Sequence, residues 1–154
     1  MEVILEPSSW PLDMAVSEAK RSNCQSQRGV IIWHQHLGLM ASGHNRPPLP
    51  FVCDGSDECR KHCSKTAVHA EQNAILNFTE KKFTGVSLSD CEMLHIKVVD
   101  GMPVPSGGPS CWQCSKLILQ AKIKKMWLYT VDGLVGYTAE EFHKETLKNC
   151  GLSE

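Results

Sequence analysis

The sequence has almost no net charge: 16 lysines and arginines face 17 aspartates and glutamates, leaving −1 at pH 7. Non-specific grip on nucleic acid needs a basic surplus or a basic face to neutralise phosphates, and neither is visible. The short run Lys122, Lys124 and Lys125 lies between an apolar helix and an apolar strand, so it is read as a solvated turn. Any run of about 18 apolar residues is also missing, so no membrane span is expected. Residues 1–10 carry Glu2 and Glu6 and lack the basic segment and long apolar run of a secretory signal, so a cytoplasmic address is expected. Aromatics are scarce at 6%, which argues against a base-stacking platform. Trp33, Phe51 and Trp112 are assigned to core or loop packing, with one of them free to line a pocket.

No internal repeat or low-complexity segment interrupts the chain, and 154 residues suit one compact domain spanning 1–154. Hydrophobic residues, at 42%, are enough for a sizeable core. A first helix is expected over 11–24, with Pro11 in its first turn and Met14, Ala15, Ala19 and Lys20 on one mixed face. Residues 29–34 (GVIIWH) read as a buried strand, and 36–42 return beside it as a hairpin. Residues 43–65 hold three prolines just after the hairpin and three cysteines, with no regular period, so a long loop is expected. A second helix follows at 66–81 with Thr66 as its cap; then come a strand at 92–99 and a loop at 101–110. A helix at 111–121, a strand at 125–131 and a last helix at 139–149 before Gly151 complete the order. Strands alternating with helices imply an α/β layered domain.

Eight cysteines remain to be explained, and in a reducing compartment clustered cysteines are more often metal ligands or catalytic groups than disulfides. The sharpest pattern is His69-Ala70-Glu71 followed by Cys111-Trp112-Gln113-Cys114. Each half alone is weak; together they give one nitrogen and two sulfurs, the ligand count of a catalytic zinc site with a fourth position open to water. The C-x-x-C spacing places both sulfurs on one side of a helical turn, where the positive helix end stabilises thiolates. Zinc lowers the pKa of its water by several units, and Glu71, beside a ligand but not itself one, suits the proton transfers that hydrolysis then requires.

This H-x-E…C-x-x-C arrangement resembles the cytidine/deoxycytidylate deaminase superfamily. Residues 69–76 (HAEQNAIL) and 111–129 (CWQCSKLILQAKIKKMWLY) are most similar to the deoxycytidylate deaminase branch, and residues 24–32 and 42–48 (SGHNRPP) extend the likeness over roughly 12–150. The resemblance implies a three-layer α/β fold, with a mixed central sheet flanked by helices, and a homo-oligomer. It implies a catalytic zinc ion at His69, Cys111 and Cys114, and Glu71 as proton shuttle in converting dCMP to dUMP with release of ammonia. Cytidine, guanine or a cytosine-containing antibiotic is the alternative substrate; a nucleic-acid deaminase or a non-catalytic zinc nucleotide-binding module ranks behind these. An intact Glu71 argues against the last, since a purely structural metal site has no use for it.

The chain departs from the family pattern at two places. Ser110 separates Pro109 from Cys111, shifting the loop carbonyl that the resemblance assigns to the exocyclic amine. Residues 43–46 place His44 and Arg46 where the family has an aromatic and a glycine. Asn45 keeps the position implied for sugar or base contact, and Ala70 and Ser110 are expected beside the substrate. Arg46 either meets a phosphate or is solvated; Arg28 and Lys65 are further candidate phosphate partners. Cys53, Cys59 and Cys63, joined by Cys24 or His62, offer four soft ligands in the long loop. The resemblance implies a second, structural zinc there, with Cys24 and Cys53 the best match, and free thiols are the alternative.

Overall fold

The computed structural model describes residues 2–4 and 10–152. Its strands are β1 (Glu2–Ile4), β2 (Gln27–His34), β3 (Gly38–His44), β4 (Cys91–Val99), β5 (Met102–Val104), β6 (Lys125–Thr130) and β7 (Gly133–Tyr137). Its α-helices are α1 (Trp10–Ala19), α2 (Asp57–Thr66), α3 (Ala70–Glu80), α4 (Trp112–Gln120) and α5 (Ala139–Asn149). All seven strands join one sheet in the order β1-β7-β6-β4-β2-β3, with β5 attached to β4. The pair β4–β6 is parallel, from Glu92 opposite Lys125 to His95 opposite Leu128, and the other pairs are antiparallel. A parallel neighbour requires a crossover, and α4 provides it. The sheet is therefore mixed, as expected.

Period-two alternation divides the strands between two faces. Val30, Ile32, Met93, Met126 and Leu128 pack with Ala74 and Phe78 of α3, Ile118 of α4 and Phe142 of α5. Ile31, Leu94, Ile96, Val98 and Trp127 pack instead with Leu12, Ala15 and Ala19 of α1. Each fully buried aliphatic side chain contributes about 1.5–3 kcal/mol, so these two faces supply the main cohesion of the three layers.

Two glycines let the helices approach. A Cβ on Gly29 would stand 2.4 Å from the Ala19 nitrogen and 2.5 Å from the Ala15 oxygen of α1. A Cβ on Gly43 would stand 2.4 Å from the Ala74 nitrogen and 2.8 Å from the Ala70 oxygen of α3. Backbone cannot yield at such distances, so β3 and the first two turns of α3 lie in contact only because residue 43 has no side chain.

Several elements differ from the sequence expectation. The first helix buries Leu12, Ala15, Glu18 and Ala19, while Met14 and Lys20 face solvent. The expected loop at 43–65 contains α2, whose N-cap Ser56 accepts from the Cys59 amide. No residue of α2 is buried, so it has no apolar stripe for periodicity to reveal. Thr66 ends that helix and does not cap the next one: its hydroxyl donates to the His62 carbonyl, and His69 is the N-cap of α3. Strands β1, β5 and β7 are additional; β5 has three residues including a proline, and β7 holds Gly133 and Gly136, which weaken the strand signal.

A buried carboxylate ties α1 to β3. Glu18 accepts from His44 Nδ1 at 2.8 Å, Ser42 Oγ at 3.1 Å and Arg21 Nη1 at 3.3 Å. Burial alone would raise its pKa, yet the His44 hydrogen bond, with Arg21 and Ser42, holds it below the ordinary carboxylate value. A depressed folded pKa stabilises the fold above the unfolded value, and that contribution fades as the pH falls through the folded value. Glu18→Gln should therefore cost about 1–3 kcal/mol at pH 7 in urea unfolding, with the difference closing below about pH 4. Gly43→Ala should cost about 1–3 kcal/mol in the same measurement by overpacking the α3 contact; an unchanged midpoint would show that α3 yields freely.

Candidate active site

Helices α3 and α4 begin at the same point in space. His69 caps α3 with extended backbone, and its amide donates to Gln72 Oε1 at 2.9 Å. Cys111 caps α4, and Cys114 sits in that helix's first turn. His69 Nδ1 lies 3.2 Å from Cys114 Sγ and 3.4 Å from Cys111 Sγ, and the three ligand atoms all fall within 4.8 Å of one another. Both helices point their positive ends at this cluster, which favours thiolate there.

The thiols divide one negative charge unequally. The hydrogen bond from Cys114 pulls Cys111 down to about 4, against burial and with help from His69. Cys114 is pushed up, first by Cys111, then by burial and by the Glu71 charge. The contact with Cys111 raises His69. One imidazole nitrogen and two sulfurs form a borderline-soft donor set, and a dication among them would let both sulfurs ionise. The residues present therefore fit a zinc ion.

Glu71, in the first turn of α3, is 6% exposed. Its Oε2 lies 3.5 Å from Cys114 Sγ, and its Oε1 accepts from His95 Nδ1 at 2.7 Å. Burial would raise its pKa, but His95, a backbone hydrogen bond to the carboxylate and then His69 together outweigh that and hold it down to about 2.

These groups form the floor of a cleft of about 340 Å³. Of the residues expected at the substrate, Arg28, Asn45, Ala70 and Ser110 line it. Asn45 is also a clamp: Oδ1 accepts from the Arg28 amide at 2.9 Å and Nδ2 donates to the Ser26 carbonyl at 2.6 Å. The Ser110 carbonyl accepts from the Cys150 thiol at 3.2 Å, and the Pro109 carbonyl from Asn149 Nδ2 at 2.7 Å. Arg46 is outside the lining, and its guanidinium closes its own loop through the carbonyls of Pro47 at 3.1 Å and Phe51 at 3.2 Å. Lys65 is exposed and also outside the lining. The aromatic wall is Phe142, and none of Trp33, Phe51 and Trp112 reaches the cleft.

The sequence reading missed His95, Ser26, Ser106 and Phe142 as lining residues. A signal for His95 was present. It shares parity with the inward Met93 in β4, so it is a polar residue on the face turned toward α3.

The second cysteine cluster assembles as well. The sulfurs of Cys53, Cys59 and Cys63 lie within 4.8 Å of one another, with Cys59 and Cys63 3.8 Å apart. Burial and a hydrogen bond with Cys24 push Cys63 up to about 11, but the Cys24 sulfur falls outside the set that lies within 4.8 Å of one another. His62 is not among the ligand atoms that close to within 4.8 Å; it lines an apolar hollow with Pro47, Phe51 and Val52 that Cys59 and Cys63 also line.

Comparison with known proteins gives consistent results. The family model described as "Cytidine and deoxycytidylate deaminase zinc-binding region" matches residues 6–130. A deoxycytidylate deaminase of Schizosaccharomyces pombe is 26% identical over 141 residues; the match covers 85% of this chain but 39% of that protein's length. A cyanophage S-TIM5 dCMP deaminase structure in complex with dCMP and dUMP superposes with a TM-score of 0.54 at 24% identity, covering 74% of each chain. The Burkholderia pseudomallei cytidine deaminase superposes at 0.59 with 10% identity, covering 86% of this chain and 92% of that one. Both likenesses establish the fold.

Among the described residues no helix is long and apolar enough to cross a membrane. If His69, Cys111 and Cys114 form one metal site, Cys114→Ala should reduce bound zinc by one ion per chain relative to the unsubstituted protein, as read by elemental analysis after gel filtration. Equal zinc contents would show that the ion sits elsewhere.

Proposed function

The chain belongs to the cytidine and deoxycytidylate deaminase zinc-binding family, and from that premise we propose that it hydrolyses the exocyclic amine of a cytosine nucleotide, converting dCMP to dUMP and releasing ammonia. The observation that carries this reading is the buried Glu71 carboxylate beside the His69–Cys111–Cys114 cluster on the floor of the cleft. His69, Cys111 and Cys114 would hold a zinc ion, which when bound would lower the pKa of a water toward neutrality. Glu71 takes a proton from the attacking water, passes it to the ring nitrogen, and carries the next one to the departing amine.

The choice of a nucleotide rests on Arg28. Its guanidinium lines the cleft and contacts Ser26 Oγ at 3.2 Å and His95 Nε2 at 3.4 Å, with no carboxylate partner among the described residues. An arginine without a counter-charge on a cleft wall suits a phosphate, and Ser26 and Ser106 add hydroxyls nearby. The names of the S. pombe relative and the cyanophage complex support the same substrate class.

Cys24, Cys53, Cys59 and Cys63 would hold a second, structural zinc. Helix α2 buries none of its residues, so apolar packing does not fix it, yet Cys63 and Ser64 from it form part of the cleft wall. A metal shared with Cys24 and Cys53 offsets the entropy of ordering that segment.

Zinc-loaded protein offered dCMP, cytidine, cytosine and guanine in turn should release ammonia fastest from dCMP. No release from any pyrimidine would overturn the reading. Glu71→Ala should keep its zinc and lose about 10²–10⁴ in kcat. Zinc near two ions per chain, falling to one in Cys59→Ala/Cys63→Ala, would support the structural site, and one ion in the unsubstituted protein counts against it.

A further inference from the structure

His95 is a titratable side chain that neither the metal cluster nor the proposed substrate contacts use, although its ring meets both Glu71 and Arg28. Its place is fixed from both sides. In the centre of β4 it stands opposite Val30 of β2 and Leu128 of β6, so neighbouring strands hold its backbone. Its side chain is 12% exposed and that of Glu71 8%.

The hydrogens in this chain of contacts follow from elementary donor chemistry. A guanidinium only donates, so Arg28 Nη1 at 3.4 Å makes His95 Nε2 the acceptor. With Nε2 accepting, the ring N–H is on Nδ1, which faces Glu71 Oε1 at 2.7 Å. Arg28 is itself held by Ser26 Oγ through Nε and by Asn45 Oδ1 through its amide. A continuous line thus runs Ser26–Arg28–His95–Glu71, ending on the carboxylate whose other oxygen, Oε2, faces Cys114.

We infer that His95 is a positioning residue for Glu71: its Nδ1–H tautomer, set by Arg28, engages Oε1 and leaves Oε2 directed at the sulfur cluster. The inference rests on Glu71 acting as proton shuttle in the function proposed above. A glutamate has three rotatable side-chain bonds, and among the described residues His95 gives the buried carboxylate its short side-chain hydrogen bond, so losing it loosens the carboxylate's direction. Misplacing a reacting group by about 1 Å costs up to about 10²-fold in rate, so the effect belongs in kcat and not in substrate affinity.

Two substitutions separate positioning from mere packing. In His95→Asn the amide nitrogen is attached to Cγ, as Nδ1 is in histidine, so the donor to Glu71 survives while the Arg28 contact is lost. His95→Leu keeps the bulk and removes the donor. With zinc-loaded protein and dCMP, His95→Leu should lower kcat by about 10–100-fold and leave KM within about threefold, while His95→Asn recovers to within about fivefold of the unsubstituted rate. Both variants should retain their zinc. An equally slow His95→Asn, or a loss confined to KM, would overturn the inference.

A second readout does not depend on turnover. In urea unfolding of the protein as purified, His95→Leu should shift the midpoint at least twice as much when Glu71 is present as in a Glu71→Ala background. Equal shifts in the two backgrounds would mean that the two side chains do not interact, which also overturns it. If the unsubstituted protein deaminates nothing, the substrate reading fails while the unfolding cycle still decides whether His95 holds Glu71.

Discussion

The bare backbone contact between Gly43 and the first two turns of α3 is the constraint on which the site depends. A Cβ at residue 43 would lie 2.4 Å from the Ala74 nitrogen, so α3 touches β3 at a distance available to no other residue type. His69 and Glu71 begin that helix, and the contact sets their height above the sheet. The next residue extends the clasp to both faces. The His44 ring donates to Glu18 of α1, while its carbonyl accepts from Asn73 of α3 at 2.8 Å. One end of β3 thereby joins the helical layers on the two faces of the sheet.

Charge is the second organising theme. Among the described residues two carboxylates are buried, Glu18 and Glu71, and each is met by a histidine from a strand, His44 and His95. Burial alone disfavours the ionised form, and in both cases the histidine acts together with neighbouring donors and charges to outweigh it. The consequences differ with location. Glu18 lies in the α1 interface and acts as a tie between layers, whereas Glu71 opens into a cleft beside two thiols and an imidazole. The same pair type is structural in one place and, in the proposed reaction, functional in the other.

The cleft walls come from segments with little cohesion of their own. The loop before Cys111 is held by the end of α5, through Asn149 to the Pro109 carbonyl and Cys150 to the Ser110 carbonyl. The extra residue Ser110 is thus accommodated by a contact from the last helix. Helix α2, which lends Cys63 and Ser64 to the cleft, buries none of its residues, and its Cys59 and Cys63 meet Cys53. Substrate selection in the proposed function therefore depends on segments fastened by polar and sulfur contacts to a rigid sheet.

The metal cluster and the layered α/β class were legible in the sequence because local chemistry states them. His-x-Glu at a helix start and C-x-x-C in a helical turn carry their ligand geometry in their spacing, and alternating apolar runs mark β2, β4 and β6. Helix α2 was not legible, since an element that buries nothing leaves no periodic trace. The fates of the two arginines were not legible either. Both Arg28 and Arg46 are candidate phosphate partners in the sequence, yet one faces the cleft and the other binds the carbonyls of its own loop. Nor does spacing along the chain place His95 against Glu71, because that contact joins the middle of a strand to the start of a helix packed over it. The sequence by itself determined which atoms could hold a metal; only the tertiary structure decided which side chains surround them, since those neighbours are set by sheet register and helix approach.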